Sequence, residues 1–193
     1  MTTTGQDLII RANQLDLKST LDAQNGTISY DTRQPKTIGI GTNSMQVDID
    51  GSEFQHLKGA GLLIGSSGVS RGMRVVGVTQ ANSANIYGMV SLSALADQTT
   101  FSIEGSNTFQ SLSVRANDGC WILGGGVTTV NGSLYINGDA DGAIPDNSDA
   151  NNKIDIAASQ TIKAKTELVL DARNGGIIAH GVFTLEAGTG VLV

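Results

Sequence analysis

Aromatic side chains are scarce in this chain, making up 4% of 193 residues with a single tryptophan. A β-sandwich fills its middle with a few large rings, so the scarcity disfavours that architecture. Cysteine occurs once, at Cys120, which excludes an internal disulfide and a cysteine-built metal cluster. In Gly119-Cys120-Trp121-Ile122 it reads as a small buried hydrophobe. Charged residues are few, at 16%, and lean acidic, with a formal net charge of -6. That balance argues against nucleic acid, whose phosphates need a basic face. Lys and Arg are scattered, with no run or stripe suited to an anionic membrane surface. No apolar segment approaches the roughly 18 residues of a membrane span. Met1-Thr2-Thr3-Thr4-Gly5 lacks the basic start and apolar stretch of a signal peptide. The expectation is therefore no nucleic-acid partner and no membrane insertion, in a cytoplasmic protein or a piece of a secreted one.

What the chain has in plenty is glycine, 25 residues, and short alternating apolar pairs. The pairs run Leu8/Ile10, Leu15/Leu17, Ile28/Tyr30, Ile38/Ile40, Val47/Ile49, Leu62/Ile64, Met73/Val75, Val90/Leu92, Phe101/Ile103 and Leu112/Val114. They continue with Leu134/Ile136, Ile154/Ile156, Leu168/Leu170, Phe183/Leu185 and Val191/Val193. Turn residues separate them, which is the signal of many short strands. One stretch breaks the rhythm: Asp50 and Ser52 precede an apolar pair three apart, Phe54 and Leu57, predicting a short capped helical turn near 50–57.

A weak internal repeat points to stacking. Leu8-Ile9-Ile10-Arg11-Ala12, Leu112-Ser113-Val114-Arg115-Ala116, Leu168-Val169-Leu170-Asp171-Ala172 and Phe183-Thr184-Leu185-Glu186-Ala187 share the pattern apolar-x-apolar-x-Ala. Gly119, Gly175 and Gly190 each follow three residues after such an Ala. The pattern suits a strand with two inward residues, a small inward Ala at the corner, then a residue free to turn left-handed. The expected fold is all-β, a right-handed parallel β-helix (β-solenoid) running over residues 1–193 as one segment. At about 20 residues per coil it would hold about nine coils and, at about 4.8 Å between strands, be on the order of 40 Å long. Residues 138–152, polar and turn-rich and holding Pro145, are expected to protrude as a loop.

Ile38-Gly39-Ile40-Gly41, then Val47-Asp48-Ile49-Asp50-Gly51-Ser52-Glu53-Phe54, Gly61-Leu62-Leu63-Ile64-Gly65 and Met73-Arg74-Val75-Val76-Gly77 resemble repeats of filamentous haemagglutinin-type adhesins. Such repeats also occur in very large secreted or surface repeat proteins of bacteria and of some unicellular algae. The stretches 125–136 and 184–193 are similar to the same kind of repeat. The resemblance implies a parallel β-helix in a filamentous, secreted or cell-surface protein.

Candidate chemistry is sparse. Asp139, Asp141, Asp146 and Asp149 are weak calcium candidates, because calcium takes several oxygens. An EF-hand-type loop starting at Asp139 would need Gly and Glu where Ile144 and Ala150 stand, so a solvated acidic loop is expected. Pectin-cleaving β-helices need carboxylates clustered on one face, whereas here they fall mostly singly at turns. His56 and His180 are isolated and read as surface or turn residues. Asn25-Gly26-Thr27 and Asn131-Gly132-Ser133 match a glycosylation acceptor and also a plain turn, the reading preferred. Gly124-Gly125-Gly126 lacks the Lys and helix of a phosphate loop and reads as a corner.

Both ends of the sequence lack an evident cap, with an apolar strand ending at Val193. A bare last coil exposes core and unpaired backbone groups. The functional expectation is a structural or adhesive module of a long extracellular or cell-surface filament, stacking end to end with neighbouring copies or repeats. It would have no catalysis and no cofactor, and surface glycans are candidate partners. The alternative is a carbohydrate-binding or polysaccharide-cleaving β-helix.

Overall fold

A computed structural model of the chain describes residues 1–41, 45–65, 68–142 and 150–193. Three stacks of parallel strands, with a two-stranded parallel pair of Leu21–Asp22 and Leu57–Lys58, share one hydrophobic core. The first sheet has eight strands: Leu8–Arg11, Thr27–Asp31, Gly61–Ile64, Met89–Ala94, Ser111–Ala116, Leu134–Asn137, Glu167–Asp171 and Gly190–Leu192. The second has seven, ordered in space as Val47–Asp50, Ile38–Gly41, Met73–Val76, Phe101–Glu104, Cys120–Ile122, Ile154–Ile156 and Ile177–Ala179. The third has four: Asn107–Phe109, Val127–Thr129, Thr161–Ala164 and Thr184–Ala187. From Met89 onward the chain visits the sheets in turn, one strand of each per circuit, until Gly190 returns it to the first. Stacked parallel sheets visited in this order are consistent with a parallel β-helix. Each circuit is called a rung below.

Alternation within each short strand explains the core. Register aligns Leu8, Ile28, Leu62, Val90, Leu112, Leu134, Leu168 and Val191 in one ladder through the first sheet. A second ladder carries Val47, Ile38, Met73, Phe101, Cys120, Ile154 and Ile177. Burying a Leu, Ile or Val side chain contributes about 1.5–3 kcal/mol, and a parallel stack repeats that gain at every rung. Few rings are needed because aliphatic ladders fill the interior by themselves.

Eight rungs replace the nine expected. The step between ladder partners is 20 residues from Leu8 to Ile28, 22 from Leu112 to Leu134 and 34 from both Ile28 to Leu62 and Leu134 to Leu168. The longer rungs carry insertions at their corners, which a uniform period misses. The Leu15/Leu17 pair does not form a strand; residues 12–20 run as irregular chain between Arg11 and Leu21. The repeat also divides between sheets, since Leu8, Leu112 and Leu168 open strands of the first sheet whereas Leu185 lies in the third. Its large residues and its Ala do face the core, as expected. Of the three glycines, Gly119 takes the left-handed conformation (φ 98°), while beyond Ala172 Gly176 takes it (φ 75°) in place of Gly175.

The third side changes character along the stack. Helix α1 (Gly51–His56) stands beside helix α2 (Gln80–Ser83), which in turn stands beside Asn107–Phe109. Thus two helical turns occupy the place that strands take in later rungs. α1 begins at the predicted point with a full capping box, Glu53 N–H donating to Asp50 Oδ1 (2.8 Å) and Asp50 N–H to Glu53 Oε2 (3.0 Å). α2 was not anticipated, although Thr79 and Asn82 form the same reciprocal cap. Asn82 Nδ2 donates to the Gly51 carbonyl (2.9 Å) and Ser83 Oγ to that of Thr108 (3.0 Å), stitching helix to helix and helix to strand. Phe54 meets Phe109 edge to face, with ring centroids 6.2 Å apart, across the same column.

Candidate functional site

The corner between the first and second sheets holds most of the polar side chains that the core excludes, and its two halves differ. In the later rungs the corner is an amide–carboxylate network. Asn117 Nδ2 donates to the Leu95 carbonyl (2.8 Å), and Asn151 donates to Asp118 from its backbone N–H (2.8 Å) and its side chain (3.3 Å). Asn174 does the same to Asp139 Oδ2, at 2.8 and 2.9 Å, while Asp139 N–H donates to Asn137 Oδ1 (2.8 Å). Asn137 and Tyr135 both donate to Asp171 Oδ2 (3.2 Å each). Each rung's turn is tied to the next by a short side chain of the kind that competes well for backbone groups.

Asp139 is therefore a buried member of this network, 4% exposed, and not the solvated loop residue expected. Asp141 is exposed, and Asp146 and Asp149 lie outside the described residues. Among the described residues no group of three or more His, Cys, Asp or Glu is placed to hold a metal ion. Of the 138–152 stretch, Gly138, Asp139 and Asn152 are built into the corner, and residues 143–149 lie outside the described residues.

In the earlier rungs the same corner is open. Arg11, Asp31, Thr32, Arg33 and Val69 line a cavity of about 410 Å³. Val69 also lines a neighbouring cavity of about 510 Å³ with Pro35, Arg71, Ala96, Asp97 and Gln98. Main-chain bonds hold the walls together: Ala12 N–H to the Asp31 carbonyl (3.1 Å) and Arg71 N–H to that of Lys36 (2.9 Å). Arg11 stands opposite Asp31 in register. The cluster is hidden in the sequence because the arginines are far apart along the chain, and only the coil brings them to one corner.

Elsewhere several charged side chains are paired on the surface. Arg74 grips Glu104 with both Nε (2.9 Å) and a terminal nitrogen (2.5 Å), which raises the Arg74 pKa further. Lys58 lies 2.9 Å from Asp22 and, with the Gln24 N–H, holds that carboxyl below its usual range. Lys153 and His180 converge on the two oxygens of Asp155, at 3.1 and 2.9 Å. His180 is exposed, as expected of a turn residue. His56 is half-buried with Nδ1 2.9 Å from the Leu17 carbonyl, and so fastens one chain segment to another. Cys120 is fully buried in the second ladder, and burial pushes its thiol pKa far up, leaving it unreactive. Asn131 donates its side-chain amide to Gln110, consistent with a structural turn. Gly125 and Gly126 form the expected corner, where a Cβ on Gly126 would stand 2.0 Å from the Thr161 carbonyl oxygen.

The two ends of the stack are a second candidate surface. At the N-terminal end residues 12–17 are strapped down by side chains from three later segments. Tyr30 donates to the Ala12 carbonyl (3.0 Å), Lys36 to that of Asn13 (3.4 Å), and Glu53 Oε1 accepts from Leu17 N–H (3.2 Å). At the other end Val191, Leu192 and Val193 are 45%, 61% and 69% exposed, and Gly190–Leu192, Ile177–Ala179 and Thr184–Ala187 are each the last strand of their sheet. Comparison with models of protein families, with curated proteins and with solved structures finds no match.

Proposed function

We propose that the chain is a structural and adhesive module of a long secreted or cell-surface filament, built as a right-handed β-solenoid of the filamentous haemagglutinin type and free of catalysis. Right-handedness is the hand adopted by about 98% of parallel crossover connections. The observation that supports the role most is the stack itself, three parallel sheets on one aliphatic core, whose last described strands carry the exposed Val191 and Leu192. Strands of this kind can pair with a further rung, because edge N–H and C=O groups and apolar ladders both extend by stacking. The neighbouring rung comes from an adjoining copy or repeat, so that the aliphatic ladders continue from one unit into the next. In this role the sheets set distance, while the corners present side chains to surface glycans.

The test is light scattering of the chain and of a Val191→Asp/Leu192→Asp variant at rising concentration. The wild type should lengthen by whole units and the variant should remain a single unit. A wild type that stays monomeric at high concentration would refute end-to-end stacking.

A further inference from the structure

We propose that the open corner of the early rungs binds a carboxylate-bearing sugar chain, a polyuronate, along the axis of the stack. Arg11, Arg33 and Arg71 are exposed, come from three successive rungs and line the two adjoining cavities. Their guanidinium groups have no hydrogen-bond or ion-pair partner among the described residues. Arg74, Lys58, Lys153 and Lys163, by contrast, are each paired with a carboxylate. An unpaired guanidinium presents a planar fork that matches a carboxylate through two parallel hydrogen bonds.

The accompanying groups narrow the ligand. Asp31 and Asp97 stand in the same two cavities, so a densely charged polyanion is disfavoured, while a ligand that alternates carboxylates with hydroxyl donors is suited. Thr32 lines the smaller cavity, and its hydroxyl is buried without a partner, the residue being 4% exposed. A buried polar group is ordinarily hydrogen-bonded, so this one marks a place where a ligand oxygen completes the set. Pro35, Val69 and Ala96 supply apolar patches for the C–H faces of sugar rings. Arg11, Arg33 and Arg71 lie at different positions of one corner on successive rungs about 4.8 Å apart, a spread that an extended polymer spans more naturally than a compact anion does.

The inference rests on the glycan-facing part of the proposed role, yet the cleft is read by titration and the stacking by scattering, so either fails alone. The probe is a short oligogalacturonate, titrated calorimetrically against the whole chain, with its full methyl ester and inorganic phosphate as comparison ligands. Binding of the acid form is expected, weakened about tenfold or more by Arg33→Ala/Arg71→Ala and severalfold by Thr32→Val. Lys163→Ala, in the third sheet, should leave it unchanged, and thermal unfolding should confirm that each variant folds. The proposal is overturned if the acid form does not bind, if the double variant binds as tightly as the wild type, or if the methyl ester or phosphate binds as well.

Discussion

At the N-terminal end of the stack an irregular segment is tied down by polar side chains; at the C-terminal end regular strands lie bare. Leu8 and Val191 occupy the same ladder, but around Leu8 the chain has Leu15 at 8% exposure and four backbone groups in residues 12–17 bonded by side chains. Around Val191 the chain has Val182 at 85% and Leu192 at 61% exposure. The second sheet shows the same contrast. Val47–Asp50 pairs outside Ile38–Gly41 and so doubles that rung towards the N-terminal end, whereas among the described residues Ile177–Ala179 is the last strand at the other side of the sheet. Closure is therefore made by side chains that satisfy an irregular backbone, while the open edge follows from simply continuing the pattern.

The sharpest way to break this contrast is to remove one large apolar group from each end. Phe54→Ala, on the buried face of α1 and against Phe109, should cost about 3–5 kcal/mol in chemical denaturation, since a fully buried ring leaves a cavity. Leu192→Ala at the open end should stay within about 0.5 kcal/mol, as surface substitutions do. Comparable losses at both sites would mean that the two ends are alike.

A smaller effect isolates the polar strap. Glu53→Ala removes acceptors from both Leu17 N–H and Asp50 N–H, and should destabilise by about 1–2 kcal/mol. The loss should be accompanied by faster proteolysis within residues 12–20. If the fragment pattern is unchanged, the strap does not hold this end.

Tyr30 offers a pH-dependent view of the same end. Burial, with Asp31 and Glu53 nearby, raises its phenol to about 12. The folded chain then keeps a proton that the unfolded chain loses from about pH 10 upward, so stability should fall between roughly pH 10 and 12. Tyr30→Phe should flatten that part of the profile, at a constant cost of about 1 kcal/mol for the lost bond to the Ala12 carbonyl. A profile unchanged by the substitution would assign the alkaline loss elsewhere.

The smallest effect belongs near the open end. Lys163 and Glu186 pair at 2.6 Å, but both side chains are about half exposed, so Lys163→Ala should change stability by less than about 0.5 kcal/mol. A larger loss, measured by thermal unfolding, would show that this region is held more firmly than its exposure implies.

Much of the architecture was legible because alternation of period two is a local signal. Pairs such as Ile28/Tyr30 or Leu134/Ile136 declare a strand within three residues, and Asp50 with Glu53 declares a capped helix within four. Leu15/Leu17 carries the same alternation but has become a strap, since its fate is decided by Glu53 and His56, more than thirty residues later. α2 was hidden because Thr79 and Asn82 form a weaker version of the usual box and no apolar run follows. The arginine corner was illegible for a different reason: Arg11, Arg33 and Arg71 are isolated in sequence, and rungs of unequal length conceal that they fall on one corner. Likewise the Asn and Asp residues after each strand read as turn formers, whereas their bonds run to the next rung.

Amide hydrogen exchange resolved by residue tests the contrast between the ends most directly. Strong protection is expected from Ile28 through Leu170 along the first sheet, measurable protection of the Leu17 amide by Glu53, and rapid exchange across Gly190–Leu192 in the single unit, slowed on the proposed stacking of units. Equal protection at both ends of the unstacked chain, or a freely exchanging Leu17 amide, would contradict it.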